Sequence, residues 1–234
     1  MDTQTRHALK QDKFRQATAE SVSWLSENRS HVTRWVITGG VVVVLLVAGL
    51  VYWNVSSSAA ETALGAALDI YATPLATPGA PPQPDTYATA SERSKAANEK
   101  FVAVANKYGW LPVGAKAEYF AGVTYQDLGQ NGSAETDLKK AANSWNRNIA
   151  NLAKVALAGL YHQTGRDPEA IALYNEIGAK PSTTVPAAVA QLDLADLYAA
   201  EGKQNEAKIL WAKIRDTDKD GMAGSIAAQK LSGK

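Results

Sequence analysis

Hydrophobic and polar positions divide the chain into one uncharged apolar run near the N-terminus and a long pattern of helical periodicity after it. The run Trp35–Trp53 is 19 residues long and contains no charge. As a helix it would span roughly 28 Å, close to the hydrocarbon thickness of a bilayer. Trp35, Tyr52 and Trp53 stand at its two ends, where aromatic rings favour the headgroup level. We therefore predict a transmembrane helix over residues 35–55.

Charge on either side of this run predicts its orientation. Residues 1–34 hold six Lys or Arg residues, and none follows the run until Arg93. The positive-inside bias places residues 1–34 in the cytoplasm and everything after Ser56 outside it, as expected for a single-pass protein of a bacterial inner membrane. Cleavage as a signal peptide near Ser58-Ala59-Ala60 is the alternative, but a lead of 34 residues is long for that purpose. Residues 5–27 are predicted to form an amphipathic helix that lies on the inner leaflet or docks on a membrane partner. The alternative is a short, partly ordered basic lead that only enforces topology.

The exported part, residues 59–234, is predicted to be all-α. Apolar stripes predict helices over Ala59–Thr73 and Ala90–Tyr108, which together form a degenerate first pair, 59–108. Five prolines in residues 73–87 cannot continue a helix, so this insert is predicted to be an extended surface loop. A short helix over Ser225–Leu231 is expected within a capping segment, 219–232.

A repeat with spacings of 36 and 37 residues governs the chain between these two regions. Each unit has a tyrosine, a glycine four residues later, then an alanine, a large apolar residue and a second apolar residue. The members are Tyr125, Gly129, Ala134, Leu138 and Ala141; Tyr161, Gly165, Ala170, Tyr174 and Ile177; Tyr198, Gly202, Ala207, Trp211 and Ile214.

The repeat predicts helix–turn–helix units at 115–148, 151–181 and 188–215. The glycine would end the first helix in a left-handed conformation, and the alanine would let the second helix approach closely. Asp167 and Pro168 are predicted as the N-cap and first position of one second helix. Single pairs leave an apolar face bare, so such units stack.

These residues resemble the tetratricopeptide repeat (TPR), which implies an α-solenoid after the transmembrane helix. The whole chain also resembles the YfgM-type ancillary subunit of the SecYEG translocon. The residues that carry this second resemblance are Trp24, Glu27-Asn28 and Tyr52-Trp53, followed by the repeats. The resemblance implies an inner-membrane protein with a periplasmic domain that links the Sec translocon to the periplasmic chaperone network. The proline insert departs from that family.

Composition argues against nucleic acid and against catalysis. After residue 60 the chain carries 18 Lys or Arg against 19 Asp or Glu, so it presents no overall basic field. The sequence has no cysteine, no HExxH, no GxSxG and no phosphate-binding loop. We therefore predict no enzymatic activity, no catalytic residue, no cofactor and no metal. Asp216–Asp220 matches the first half of a calcium loop, but Ala227 replaces the bidentate glutamate, and a polar linker with a helix-capping Asp is favoured.

The predicted site is a partner-binding groove on the first helices of the repeats, because stacked pairs curve around that face. Its residues are Tyr119, Val123, Gln126, Asp127, Val155, His162, Gln163, Leu192 and Asp196. Several of them could instead only pack between helices. The predicted function is a membrane-anchored TPR adaptor for protein–protein interactions, linking the translocon to clients or chaperones. The alternative is a scaffold for another envelope complex, in cell division or outer-membrane assembly.

Overall fold

The computed structural model describes residues 29–77 and 86–233. The predicted lead helix, 5–27, and the middle of the proline insert lie outside these residues. The chain divides into two compact units, Met1–Val55 and Ser56–Lys234, and each is considered by itself.

The first described helix, α1, runs without a break over Arg29–Ala72. It is long and apolar enough to cross a membrane. Its side chains in the apolar run are exposed, as Trp35 (76%) and Leu50 (69%) illustrate. The sequence predicted separate helices over 35–55 and 59–73. The uncharged stretch between them contains no proline, so nothing interrupts the backbone hydrogen bonds.

The second unit is all-helical within its described residues. After the last part of α1 it comprises α2 (Ala90–Tyr108), α3 (Pro112–Asp127), α4 (Asn131–Ala142), α5 (Arg147–Gln163), α6 (Asp167–Ala179), α7 (Ala187–Ala200), α8 (Gln204–Thr217) and α9 (Met222–Leu231). Consecutive helices from α2 to α9 pack on one another, and α3 also contacts α5. The fold is therefore a row of antiparallel helices with only near-neighbour contacts, as in helical repeat proteins.

The ends of the proline insert meet in an isolated β-bridge between Leu75 and Tyr87. The amide of Ala76 donates to the carbonyl of Tyr87 at 2.8 Å, and the amide of Tyr87 donates to the carbonyl of Pro74 at 3.3 Å. The insert therefore leaves α1 and returns to α2 at neighbouring points. An insertion between two packed helices requires this arrangement.

Three glycines end α3, α5 and α7 in the left-handed conformation that the repeat predicted. Gly129, Gly165 and Gly202 have φ of 69°, 74° and 80°. In each turn the amide two residues past the helix C-cap donates to the carbonyl of the repeat tyrosine, at 2.7–2.8 Å. The glycine amide donates to the next carbonyl of the same helix at 2.9–3.1 Å. These paired bonds define a Schellman motif, so the spacing of tyrosine and glycine encodes the turn.

The small and apolar positions of the repeat form the core between paired helices. Ala134, Ala170 and Ala207 are fully buried, as are Leu138, Ile177 and Ile214. One close approach was not predicted: a Cβ at Gly122 of α3 would lie 2.6 Å from Cγ of Leu138. Glycine at 122 is therefore required by the packing of α3 on α4.

The predicted N-cap of α6 is wrong. Arg166 occupies the cap, without a side-chain hydrogen bond to the helix backbone, and Asp167 is already the first helical residue. The carboxylate of Asp167 instead lies 2.6 Å from Nδ1 of His162 on α5. A side-chain partner on the preceding helix thus replaces the local capping bond.

The C-terminal part of α1 forms the first layer of the helical row. Ala60, Leu64 and Ala67 are buried in one cluster with α2 and α3, whose largest fully buried side chain is Phe101. The ring of Phe101 stacks on Phe120 with centroids 5.2 Å apart. This packing places residues 60–72 as the first helix of the pair completed by α2.

Candidate partner-binding surface

The predicted groove residues all lie on α3, α5 and α7, the first helices of the three repeats. Their exposure differs widely. Tyr119, Val123 and Val155 are half-buried against the central core cluster. Leu192 is buried, with 8% of its surface exposed, so it belongs to the packing between helices rather than to an open surface. His162 and Gln163 are exposed at the end of α5.

Asp127 is held by contacts inside the chain. Its Oδ2 accepts hydrogen bonds from the hydroxyl of Tyr71 at 3.1 Å and from the hydroxyl of Ser94 at 2.9 Å. Below it, Nδ2 of Asn98 donates to Oγ1 of Thr124 at 2.9 Å, and both residues are buried. These hydrogen bonds connect α1, α2 and α3, and they supply partners for the buried polar residues Ser94, Asn98 and Thr124.

Two further predicted residues are also engaged within the chain. Nε2 of Gln126 donates to the carbonyl of Ala156 at 3.4 Å, a long bond that connects α3 to α5. Asp196 accepts from Nε1 of Trp211 at 3.2 Å and from Nζ of Lys230 at 2.7 Å. Both carboxylate oxygens of Asp196 therefore have partners on the following helices, α8 and α9.

A cavity of about 250 Å³ brings His162 and Asp196 to one place. Its lining comes from α5, α6 and α7: Gly159, His162, Tyr174, Asp193, Asp196, Leu197 and Ala200. Gly159 leaves this opening free, because a Cβ built there meets no atom within 4 Å. Of the predicted groove, this is the part where two members share a concave surface.

The electrostatics of the cavity are dominated by two carboxylates. Burial, together with the charge of Asp196, raises the pKa of Asp193 to about 6. Burial and the charges of Asp193 and Asp196 raise the pKa of Tyr174 to about 12. Both shifts have the sign expected where water is partly excluded and negative charges are close. The cavity therefore offers acceptors to a cationic or hydrogen-bond-donating group.

Sequence reasoning missed the two other polar residues of this cavity, Asp193 and Tyr174. Asp193 follows Leu192 and lies one turn before Asp196, and this spacing on the groove helix α7 was the signal available. Tyr174 was assigned only to packing, since it occupies the large apolar position of the repeat. It nevertheless lines the cavity, although only 9% of the residue is exposed.

The Asp216–Asp220 segment performs a structural task at the start of α9. Oδ2 of Asp218 accepts from the amide of Gly224 at 3.1 Å, which satisfies an open amide of the first turn. Asp216 pairs with Arg215 at 2.8 Å. Among residues 29–77 and 86–233 no group of three or more His, Cys, Asp or Glu residues is arranged to hold a metal ion.

Three stacked helix–turn–helix units with Schellman turns, preceded by a helix pair, define the class: a helical repeat protein of the tetratricopeptide type. A family model described as a tetratricopeptide repeat-like domain matches residues 23–233, and the chain belongs to that family. Domains of this kind are typically non-catalytic scaffolds for protein–protein interaction. The comparison with curated proteins found no match, and neither did the comparison with solved structures.

Proposed function

We propose that this protein is a membrane-anchored TPR adaptor of the bacterial inner membrane, with a cytoplasmic N-terminus and a periplasmic repeat domain. The observation that carries the proposal is the joining of one apolar N-terminal helix to a TPR-like domain in a single chain. The excess of Lys and Arg before the apolar run supports the orientation. We further propose domain limits of 1–34, 35–55 and 59–234 for the lead, the anchor and the periplasmic part.

The proposed partners are the Sec translocon and periplasmic clients or chaperones, as the YfgM-type resemblance implies. In this proposal the anchor and the lead contact the translocon, and the repeat domain binds the exported partner. Affinity purification of the tagged full chain from membranes in a mild detergent tests it. Translocon subunits should be enriched over a control chain whose apolar run is exchanged for an unrelated membrane span. Consistent absence of translocon subunits would refute this assignment, and recovery of division or outer-membrane assembly factors would favour the alternative scaffold.

Within the repeat domain, the proposed contact surface centres on the cavity between α5, α6 and α7. Asp193 provides its charge, since Asp196 is already paired with Lys230, and the exposed His162 and Gln163 extend the surface along α5. Asp127 is a weaker candidate because Tyr71 and Ser94 already occupy its carboxylate.

Filling the cavity tests its part in binding. Ala200→Leu adds side-chain volume to an exposed lining residue, and it should reduce recovery of the periplasmic partner several-fold. Ala172→Leu, the same change at an exposed position of α6 outside the lining, is the matched control and should leave recovery unchanged. Equal recovery with both variants would show that the cavity takes no part in partner binding.

A further inference from the structure

The connections between helices in the second unit lie on two opposite edges. Because consecutive helices are antiparallel, the tight glycine turns at residues 129, 165 and 202 share one edge, here named the turn edge. The connections from each second helix to the next first helix share the other, here named the loop edge. The loop edge comprises residues 109–111, 143–146, 180–186 and 218–221.

The chain enters the second unit at the loop edge. Oε1 of Glu61 lies 3.5 Å from Nζ of Lys116, near the start of α3. The hydroxyl of Tyr71 lies 3.1 Å from Oδ2 of Asp127, at the end of α3. The last part of α1 therefore runs parallel to α3, and its beginning, Ser56, is at the loop edge. Only two residues separate Ser56 from Trp53, the end of the apolar run.

The first two loops of this edge expose tryptophan. Trp145 is 81% exposed, and Trp110 is 49% exposed. An exposed tryptophan leaves a large apolar area in contact with water, so covering its ring is favourable. Tryptophan also favours the headgroup level of a bilayer, where its ring is apolar and its N–H remains hydrogen-bonded.

The same two loops lie in stretches of sequence that contain no acidic residue. There is none between Glu99 and Glu118, nor between Asp137 and Asp167. Lys107 and Arg147, both exposed, flank the two tryptophans. The last loop differs, since Asp218 and Asp220 surround Lys219 there. The basic and aromatic character is therefore strongest next to the chain entry.

The turn edge has the opposite organisation, because its cations are neutralised within the domain. Arg166 pairs with Glu135 at 2.9 Å and with Glu169 at 3.0 Å. Lys203 pairs with Glu201 at 3.1 Å. With a net charge of −1 after residue 60, the domain as a whole would not be drawn to an anionic surface. Among residues 86–233 the exposed tryptophans lie in the first part of the loop edge, beside the exposed cations Lys107 and Arg147.

We propose that the loop edge formed by residues 107–111 and 143–147 docks on anionic lipid headgroups of the membrane in which the chain is anchored. Trp110 and Trp145 lie at the headgroup level, and Lys107 and Arg147 contact lipid phosphates, each cation near the surface adding to the attraction. The inference rests on the membrane anchoring put forward under Proposed function. It adds that the repeat domain is held against the bilayer with its turn edge facing away.

Single labels on the full chain test the proposal, since the sequence has no cysteine and each introduced one is unique. An environment-sensitive fluorophore is attached at Asn143→Cys on the loop edge, at Gln130→Cys on the turn edge, or at Val44→Cys within the apolar run. Asn143 and Gln130 are both exposed, so they form a matched pair. The chains are reconstituted in vesicles in which about a third of the lipids are phosphatidylglycerol, and quenching by headgroup-labelled lipid is measured.

The label at 143 should be quenched several-fold more than the label at 130. The difference should shrink when salt rises from about 0.1 M to about 1 M, because the screening length falls from about 10 Å to about 3 Å. It should also shrink with Trp145→Ser or Arg147→Gln, but not with Ile209→Ser, which removes a 68% exposed apolar side chain from α8. Trp145 is so exposed that its replacement should leave the melting temperature unchanged, and this is measured on the same samples.

Three results overturn the proposal, and they are distinguishable. Equal quenching at 143 and 130 by headgroup-labelled lipid, with strong quenching at 44 by lipids labelled along the acyl chain, would refute docking while the anchor stands. Absence of quenching at 44 by lipids labelled along the acyl chain would refute the anchor itself, and the docking with it. Quenching at 143 that is the same in neutral vesicles would refute the role of anionic headgroups.

Discussion

Replacing Gly165 by alanine isolates the free energy of the left-handed turn that defines the repeat. Gly165 has φ of 74°, and a Cβ built there meets no atom within 4 Å. The substitution therefore introduces no clash and tests the backbone conformation alone. An L-residue in this region costs roughly 1–2 kcal/mol relative to glycine, so we expect destabilisation by about that amount. For a domain of this size the melting temperature should fall by about 2–8 °C.

Gly159, six residues earlier on α5, provides a control with the opposite sign. It lies inside the helix, and a Cβ there also meets nothing within 4 Å. Alanine should stabilise the helix by about 0.5–1 kcal/mol, because glycine in a helix interior has the greater conformational freedom to lose. The same chemical change should thus lower stability at 165 and raise it at 159. Gly165→Asn should fall between wild type and Gly165→Ala, since asparagine tolerates this conformation.

Urea unfolding of the full chain in detergent, followed by far-UV circular dichroism, measures both effects. The comparison between variants removes the constant contribution of helix that persists in the micelle. Equal stability of Gly165→Ala and wild type would contradict the assignment of φ at this turn. Destabilisation by both substitutions would instead indicate that any methyl group added at this end of α5 is destabilising, and the conformational explanation would fail.

Other predictions follow from burial, charge and hydrogen bonding. Asp193→Asn should stabilise the domain at pH 8 by at most about 2 kcal/mol after allowance for solvent screening, and not below about pH 4. The sign follows because the pKa of Asp193 in the folded state, about 6, exceeds that in the unfolded state, so wild type loses stability as pH rises between the two values. Asp220→Asn, at an exposed site, is the control. A stability difference between Asp193→Asn and wild type that does not depend on pH would contradict this prediction. Ile177→Ala should cost about 2–5 kcal/mol in urea unfolding, whereas Ile209→Ala at a 68% exposed site should cost less than about 0.5; similar costs would refute the assigned burial. Tyr71→Phe should cost about 0.5–1.5 kcal/mol, because a carboxylate of α3 loses one of its two hydroxyl donors, and an unchanged midpoint would show that the bond contributes nothing.

The repeat could be predicted from the sequence because each of its positions records a local requirement. Glycine marks a positive φ, and alanine marks a close approach of two helices. The tyrosine four residues before the glycine supplies the carbonyl that closes the turn. Arg166 and Lys203 follow the glycines and lie over the rings of Tyr161 and Tyr198, at 4.1 and 5.6 Å. Such contacts span few residues, so spacing alone reveals them.

What could not be predicted depends on contacts between distant residues. Tyr71 and Asp127 are separated by 56 positions and by the proline insert, and no local pattern relates them. The N-cap of α6 was assigned incorrectly for a similar reason, because the carboxylate of Asp167 pairs with His162 on α5 rather than with its own helix. Gly122 gave no signal either, since a glycine inside an apolar helix has several explanations until the facing Leu138 is known.

Contacts between distant residues also limit which part of the predicted groove can bind a partner. Helical position places a residue on a face, but it does not say whether another helix already uses its polar atoms. Tyr71 and Ser94 occupy Asp127, and α8 and α9 supply the donors to Asp196. A partner that used Asp127, at the N-terminal end of the groove, would have to break its hydrogen bonds to Tyr71 and Ser94, each worth about 1 kcal/mol. At the cavity between α5, α6 and α7 it would meet Asp193 instead, whose pKa is raised by burial and by the charge of Asp196. A cationic group there gains free energy without displacing an existing bond, so partner binding should favour the C-terminal half of the repeat domain.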